Sequence, residues 1–161
     1  LGFRCEGRYL GADPERDTRA EFQAAGGLDF RSSDSMHVIV EYLYNENGVI
    51  DPDDYLAELS SEPETGLFLA RHYVLFSLDH EIHPLIRWDG SILWNAVDGS
   101  GQIALDAAFS LADEADLIVG LSEPFGDGVG IGTRPGESPI RMQSEFGVYP
   151  EVMYLEVRVF L

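Results

Sequence analysis

In the run QIALDAAFSLA, Ile103, Leu105, Ala107, Phe109 and Leu111 recur at every second position, with Ala104, Asp106, Ala108 and Ser110 between them. A period of two is the mark of a β-strand with unlike faces. The next run repeats it, with Leu117, Val119 and Leu121 alternating with Asp116, Ile118, Gly120 and Ser122. RAEFQAAGGLDF sets Phe22, Leu28 and Phe30 against Glu21, Gln23 and Asp29, and RHYVLFSL sets Val74, Phe76 and Leu78 against Arg71, Tyr73 and Ser77. LIRWDGSILWNA places Ile86, Trp88, Ile92 and Trp94 opposite Arg87, Asp89, Ser91 and Asn95. LGFRCEGRYL and MHVIVEYLYN are weaker strands, and YLEVRVFL closes the chain with Leu155, Val157, Val159 and Leu161 opposing Tyr154, Glu156, Arg158 and Phe160. No segment has a helical period.

The pattern predicts about eight antiparallel strands, many near the ~9–11 residues that a tilted strand needs to cross a bilayer. The connections alternate in length. RSSDS, DHEIHP and ADEA are tight, whereas NENGVIDPDDYLAELSSEPETG and EPFGDGVGIGTRPGESPIRMQSEFGVYPE are long and VDGSG is intermediate. Short turns thus fall at one end of the sheet and long loops at the other, the asymmetry of outer-membrane barrels. The expected fold is all-β, a single domain over 1–161: an antiparallel up-and-down β-barrel of about eight strands, or eight strands of a larger barrel. No domain linker or internal repeat is evident.

Alternation does not say which face is wet. A lipocalin-like barrel buries its apolar face, and a membrane barrel exposes it to lipid. Charge keeps to one face in nearly every run, that face mixes Arg, Asp, Glu, Asn and Ser, and aromatics such as Phe30, Tyr42, Tyr44, Trp94 and Tyr149 lie near strand ends, where an interfacial girdle would sit. These features favour the membrane arrangement. The lipid-facing residues are then Val74, Phe76, Trp88, Ile92, Trp94, Ile103, Leu105, Phe109, Leu117, Val119, Leu121, Leu155, Val157 and Val159. The pore-lining ones are Arg4, Arg8, Glu21, Glu41, Arg71, Arg87, Asp89, Asp106, Asp116, Glu156 and Arg158, with Arg87 to Asp106 and Glu156 to Arg4 as the pairings that suggest themselves.

Composition narrows the partners. Asp and Glu number 29 against 10 cations, all of them Arg, for a formal net charge of −19. Such a chain repels nucleic acid, and its acidic, lysine-free makeup fits a salt-adapted organism in which screening relieves self-repulsion. The lone Cys5 has no internal disulfide partner and no companion for a metal site. No run approaches ~18 apolar residues, so no transmembrane helix is expected. No basic and hydrophobic leader precedes the first strand, as in a mature form or a piece of a longer chain.

From about Phe22 onward the chain resembles the C-terminal portion of bacterial outer-membrane β-barrel proteins of the porin-like type. The resemblance rests on VEYLYNENG, ARHYVLFSL, HPLIRWDGSILWNAVDGSGQIALDAAFSLADEADLIVGLSEPFGDG and SEFGVYPEVMYLEVRVFL. It implies membrane lipid as a partner, insertion by the barrel-assembly machinery, an outer-membrane address in a Gram-negative bacterium, and passive passage of small solutes or ions. One departure is that such proteins usually end in Phe, whereas here Phe160 is penultimate and Leu161 last.

Candidate chemistry is sparse. His80 and His83 have H-x-x-H spacing in an expected turn, with only Glu81 beside them. Asp51, Asp53 and Asp54 resemble a calcium loop until Tyr55 and Leu56 fall where an acid and a glycine are needed. FGDGVGIGTRPG alternates Gly126, Gly128, Gly130 and Gly132 but lacks the phosphate-loop spacing and its lysine, and reads as a surface loop. G-x-S-x-G is absent, as is a His followed two residues later by Ser. We expect neither an enzyme nor a cofactor. Two other readings stay open: a soluble lipocalin-like barrel binding an apolar ligand, and a small, non-conducting membrane barrel serving as anchor or adhesion scaffold.

Overall fold

The computed structural model describes residues 1–11, 20–32, 35–61, 68–131 and 140–160. Eight strands form one antiparallel meander: β1 (Gly2–Leu10), β2 (Glu21–Arg31), β3 (Met36–Asn45), β4 (His72–His83), β5 (Ile86–Asn95), β6 (Gly101–Ala112), β7 (Ala115–Phe125) and, after an excursion, β10 (Val152–Val159). The excursion carries a separate hairpin of β8 (Val129–Ile131) and β9 (Ile140–Met142). The all-β, antiparallel, up-and-down architecture is as the alternation predicts. The sheet is open: β1 and β10 are its two edges and do not pair with each other.

Register carries the two-faced pattern across the whole sheet. One transverse row runs Asp79, Asp89, Asp106, Gly120 and Tyr154 on β4, β5, β6, β7 and β10, with His37 and Arg31 continuing it onto β3 and β2. The row beside it on the opposite face runs Phe30, Val38, Leu78, Gly90, Leu105, Leu121 and Met153. A slip of one residue in any strand would exchange these faces.

The tight turns at one end are shorter than expected. β4 runs through Asp79–His83, so DHEIHP is mostly strand and the turn is Pro84–Leu85 alone. The charges there had suggested a turn, yet Asp79 and Glu81 point to the polar face and pair with Asp89 and Arg87. His80 and His83 therefore sit on a strand, with a bulge between Glu81 and His83. A second bulge, between Ser110 and Ala112, adjoins the Asp113–Glu114 turn at the same end.

At the other end the structure departs from the helix-free expectation. Asp51 has extended backbone and accepts the Asp53 N–H at 3.1 Å, capping a 3-10 turn over Pro52–Asp54. Proline at a helix start gives up no hydrogen bond. The seven-residue helix α1 (Tyr55–Ser61) follows directly, too short for its period to register in the sequence. A further 3-10 turn spans Phe146–Val148. No helix among the described residues is long and apolar enough to cross a membrane.

The compact core is small and lies at this long-loop end. Tyr55, Leu69, Ala70, Tyr73, Met142 and Phe146 are buried together, with Leu43, Leu56, Phe68, Leu93 and Val97 packed on them. Leu43, Tyr73 and Leu93 project from the polar face of the sheet, so the core forms where Val49, Tyr55, Leu69, Met142 and Phe146, from the described parts of the two long loops, pack on that face. Among the described residues, no buried cluster lies on the sheet's apolar face.

Candidate functional site: a polar wall and a loop plug

Ten of the eleven residues expected to line a pore share one face of the sheet. Arg4, Arg8, Glu21, Glu41, Arg87, Asp89, Asp106, Asp116, Glu156 and Arg158 all fall in its register. Arg71 does not: it precedes β4, and its Nε donates to the Gly48 carbonyl at 3.1 Å, bracing a loop. All fourteen residues expected to face lipid lie on the opposite face.

The ion pairs are more local than the sequence suggested. Arg87 pairs with Asp89 at 3.3 Å and with Asp79 on β4 at 3.7 Å rather than with Asp106 on β6, so it turns toward β4 of its two neighbouring strands. Glu156 pairs with Arg158, two residues on, at 2.7 Å. Arg4 reaches over Gly27 on β2 to Glu41 on β3, Nη2 to Oε1 at 2.5 Å. At the other edge the Tyr154 hydroxyl passes over Gly120 on β7 to donate to Asp106 on β6. Both bonds skip a strand.

Each skip needs a bare backbone beneath it. A Cβ at Gly120 would collide with the Tyr154 ring and with Asp106 Oδ1. Gly120→Val is therefore expected to expel Tyr154 and to lower stability by about 1–3 kcal/mol, the range for overpacking. Denaturant titration of this variant beside Tyr154→Phe, which keeps the ring, separates the clash from the lost hydrogen bond.

Two clefts open on the polar face. One, of about 450 Å³, is lined by Arg4, Gly27, Asp29, Arg31, His37 and Glu41. The smaller is lined by Ser77, Ser91, Asp89, Ala104 and Asp106. The first cleft thus mixes arginines and a histidine with carboxylates, whereas the charged groups of the second are carboxylates alone. His80 and His83 point to no metal centre: no group of three or more His, Cys, Asp or Glu among the described residues is arranged to hold an ion. Asp51 and Asp53 serve the 3-10 turn instead, Asp51 as its cap and Asp53 as partner to Arg141. In the glycine-rich segment, Val129–Ile131 is strand β8 and Gly126 lies beside Ser100 and Ser144; Gly132 and the TRPG that follows lie outside the described residues, as does Leu161.

The loop end holds a polar cluster that sequence reasoning missed. Glu145, Asn95, Ser100 and Tyr55 are wholly buried, and Tyr73 nearly so. Glu145 Oε1 accepts the Leu69 N–H at 2.9 Å; its Oε2 accepts the Tyr73 hydroxyl at 2.5 Å and Asn95 Nδ2 at 2.8 Å. The Glu145 N–H donates to Asp98 Oδ2 at 2.8 Å, and the Phe146 N–H to Ser100 Oγ at 3.2 Å. Asn95 Nδ2 also approaches the Tyr55 hydroxyl at 3.0 Å, and Asn95 Oδ1 accepts the Val97 N–H at 2.9 Å, setting the β5–β6 turn. Gly99, at φ +77°, gives that turn a left-handed step that L side chains rarely adopt. Burial pushes the Glu145 carboxyl above its ordinary value, reinforced by the negative charge of Asp98 and opposed by the hydrogen bonds it accepts from Tyr73, Leu69 and Asn95. Burial likewise drives the Tyr55 phenol far up, so it stays neutral.

On the apolar face, aromatic groups collect near the long-loop end. Tyr42 stacks on His72 with centroids 6.0 Å apart and shares a 2.6 Å hydrogen bond with its Nδ1, and Tyr44 lies 5.7 Å from the same ring and 6.4 Å from Phe22. Tyr149, expected in this girdle, instead packs edge-on against Phe146 beside the plug. No protein-family model, curated protein or solved structure matches the chain.

Proposed function

We propose that this chain forms the wall of a membrane β-barrel of the outer-membrane, porin-like type, its apolar face against lipid and its polar face lining a water-filled path for small solutes or ions. The observation that carries the reading is the unpartnered apolar face. Leu28, Phe76, Ile92, Trp94, Val119 and Leu155 are 39–68% exposed, although each belongs to a continuous apolar sheet surface. The accessible surface is 10945 Å², against about 8,000 Å² for a soluble globular monomer of this length. Water does not tolerate so large a continuous apolar patch on a monomer, and lipid does.

A lipocalin-like barrel would gather those side chains around an internal ligand; here the clefts and the folded-in loops lie on the polar side. The Asp79, Asp89 and Asp106 row, together with the charge of −19, favours cations over anions along the path. The loop plug favours a second reading, a barrel closed at one mouth that serves as anchor or scaffold.

The test is refolding from urea with and without detergent micelles, followed by circular dichroism and by gel mobility of unheated against heated samples. The expected result is β-structure and a heat-dependent mobility shift with micelles only. A soluble, folded monomer in salty buffer alone would overturn the membrane reading. Conductance across planar bilayers then divides an open path from a closed scaffold.

A further inference from the structure

The two outermost strands of the sheet are built like inner ones. β1 and β10 are nine and eight residues long, each keeps an unbroken ladder to its inner neighbour, and neither contains a proline. Proteins blunt an edge strand with a bulge, a proline or a short length, yet both bulges here lie on interior strands. Among the described residues no strand lies beyond either edge. The polar faces of the two edges carry Arg4, Glu6 and Arg8 on β1 and Tyr154, Glu156 and Arg158 on β10. Laid antiparallel with full overlap, Arg4 would oppose Arg158 and Glu6 would oppose Glu156, like on like. A slip of one residue exchanges the faces, so the smallest allowed slip is two. In one direction that slip sets Arg8 opposite Glu156 and Glu6 opposite Arg158, with Tyr9 opposite Leu155 and Cys5 opposite Val159 on the apolar face. Glu156 and Arg158, already bonded to one another along β10, then extend into a row of alternating charge with Glu6 and Arg8. In the other direction the slip yields only Arg4 opposite Glu156, and Arg4 is already bound to Glu41. Charge therefore selects one register, since unlike charges directly across a ladder stabilise it and like charges destabilise it.

We propose that β1 of one copy of this chain pairs with β10 of a second copy in that register, at two equivalent seams that join the two open sheets into one closed wall. The partner is a second copy rather than the chain's own far edge because of what stands on the polar face. A closed barrel of about eight strands has room inside for side chains or one small ligand. Here helix α1 and the Phe146–Val148 turn lie over that face, with Tyr55 and Phe146 packed in one cluster with Tyr73, and a cleft of about 450 Å³ opens on it. Twice eight strands, near the ~16–18 of barrels that hold an aqueous channel, enclose both. The seams need no rearrangement of the sheet, because β1 and β10 stay apart within each copy. That the joined wall surrounds a path across a membrane rests on the function proposed above; the pairing of the edges does not, because an unblunted edge is open to pairing in water as well as in lipid.

The native Cys5 supplies one half of the test. Val159→Cys places a second thiol directly opposite it across the seam, and Val157→Cys, on the same face, places one diagonal to it. Both valines are exposed in the single chain, so neither substitution disturbs packing. Each variant of the full chain, folded in detergent micelles, is mildly oxidised and run on a denaturing gel without reductant. We expect a disulfide-linked dimer from Val159→Cys at about tenfold the yield from Val157→Cys or from the wild type, since a directly opposed pair lies within disulfide reach and a diagonal one does not. Adding Glu156→Arg to Val159→Cys should lower the yield, and adding Arg8→Glu as well should restore it. Linkage within one chain, seen as a faster monomer band, overturns the second copy. Equal linkage in the two cysteine variants, or none, overturns the pairing. Folding in salty buffer alone overturns the membrane reading instead, and the linkage read there still decides the seam.

Discussion

On the proposed membrane reading, Val119→Arg will cost about 2–4 kcal/mol of folding free energy in phospholipid vesicles, the penalty for a cation on a lipid-facing strand position near the bilayer midplane. Val119 is central in β7, flanked on its face by Leu117 and Leu121 and across the ladders by Ala107 and Leu155. Ile118→Arg, one residue away, will cost less than about 1 kcal/mol, because Ile118 faces the polar side between Ala108 and Glu156. Moving the arginine on the apolar face toward the short-turn rim, as Val159→Arg, should reduce the penalty to about 0–1 kcal/mol. Urea unfolding from vesicles measures all three. A Val119→Arg effect within about 0.5 kcal/mol of zero would show that the apolar face meets water, where surface substitutions count for little.

The second large effect concerns the plug. Asn95→Ala removes a wholly buried amide that donates to Glu145 and approaches Tyr55 while accepting from Val97 N–H. The wholly buried Glu145 and Tyr55 and the half-buried Val97 N–H lose a partner at once. We expect a loss of about 2–4 kcal/mol, concentrated in the loops rather than the sheet. Proteolytic nicking of the loops, with strand content by circular dichroism unchanged, is the expected pattern. A uniform loss of sheet and loops would mean that the plug and the strands unfold as one unit.

The contrast between sheet and plug explains what the sequence disclosed. Strand faces are a local property: Leu105 and Asp106 need only each other and a period of two to be assigned, and ladder register then joins eight such runs into two surfaces. The parity of short and long connections was legible for the same reason. Glu145 was not, because its environment is made by Leu69, Tyr73 and Asn95, distant in sequence and brought together only by loop packing. In QSEFGVYPE it looks like any exposed acid, and the only available signal was the apolar Phe146 beside it. Arg71 failed for a related reason: alternation extrapolated one residue past the start of β4 places it on the wall, while a carbonyl of its own loop captures it. The Asp79–His83 stretch erred in the opposite direction. Charge there was taken as the end of a strand, although charge is what the polar face of this strand requires.

The strand order has a bearing on how such a wall could have grown. In an unbroken antiparallel meander of eight, the first and last members point in opposite senses, so β1 and β10 are already correctly oriented to be neighbours. They stay so if any even number of strands is inserted between them, and cease to be so with any odd number unless one parallel pair is admitted. The smallest heritable step that keeps the two edge strands antiparallel is therefore a duplicated hairpin, never a single strand. Each such step widens the sheet by two strands while leaving the short turns and the long loops at their own ends.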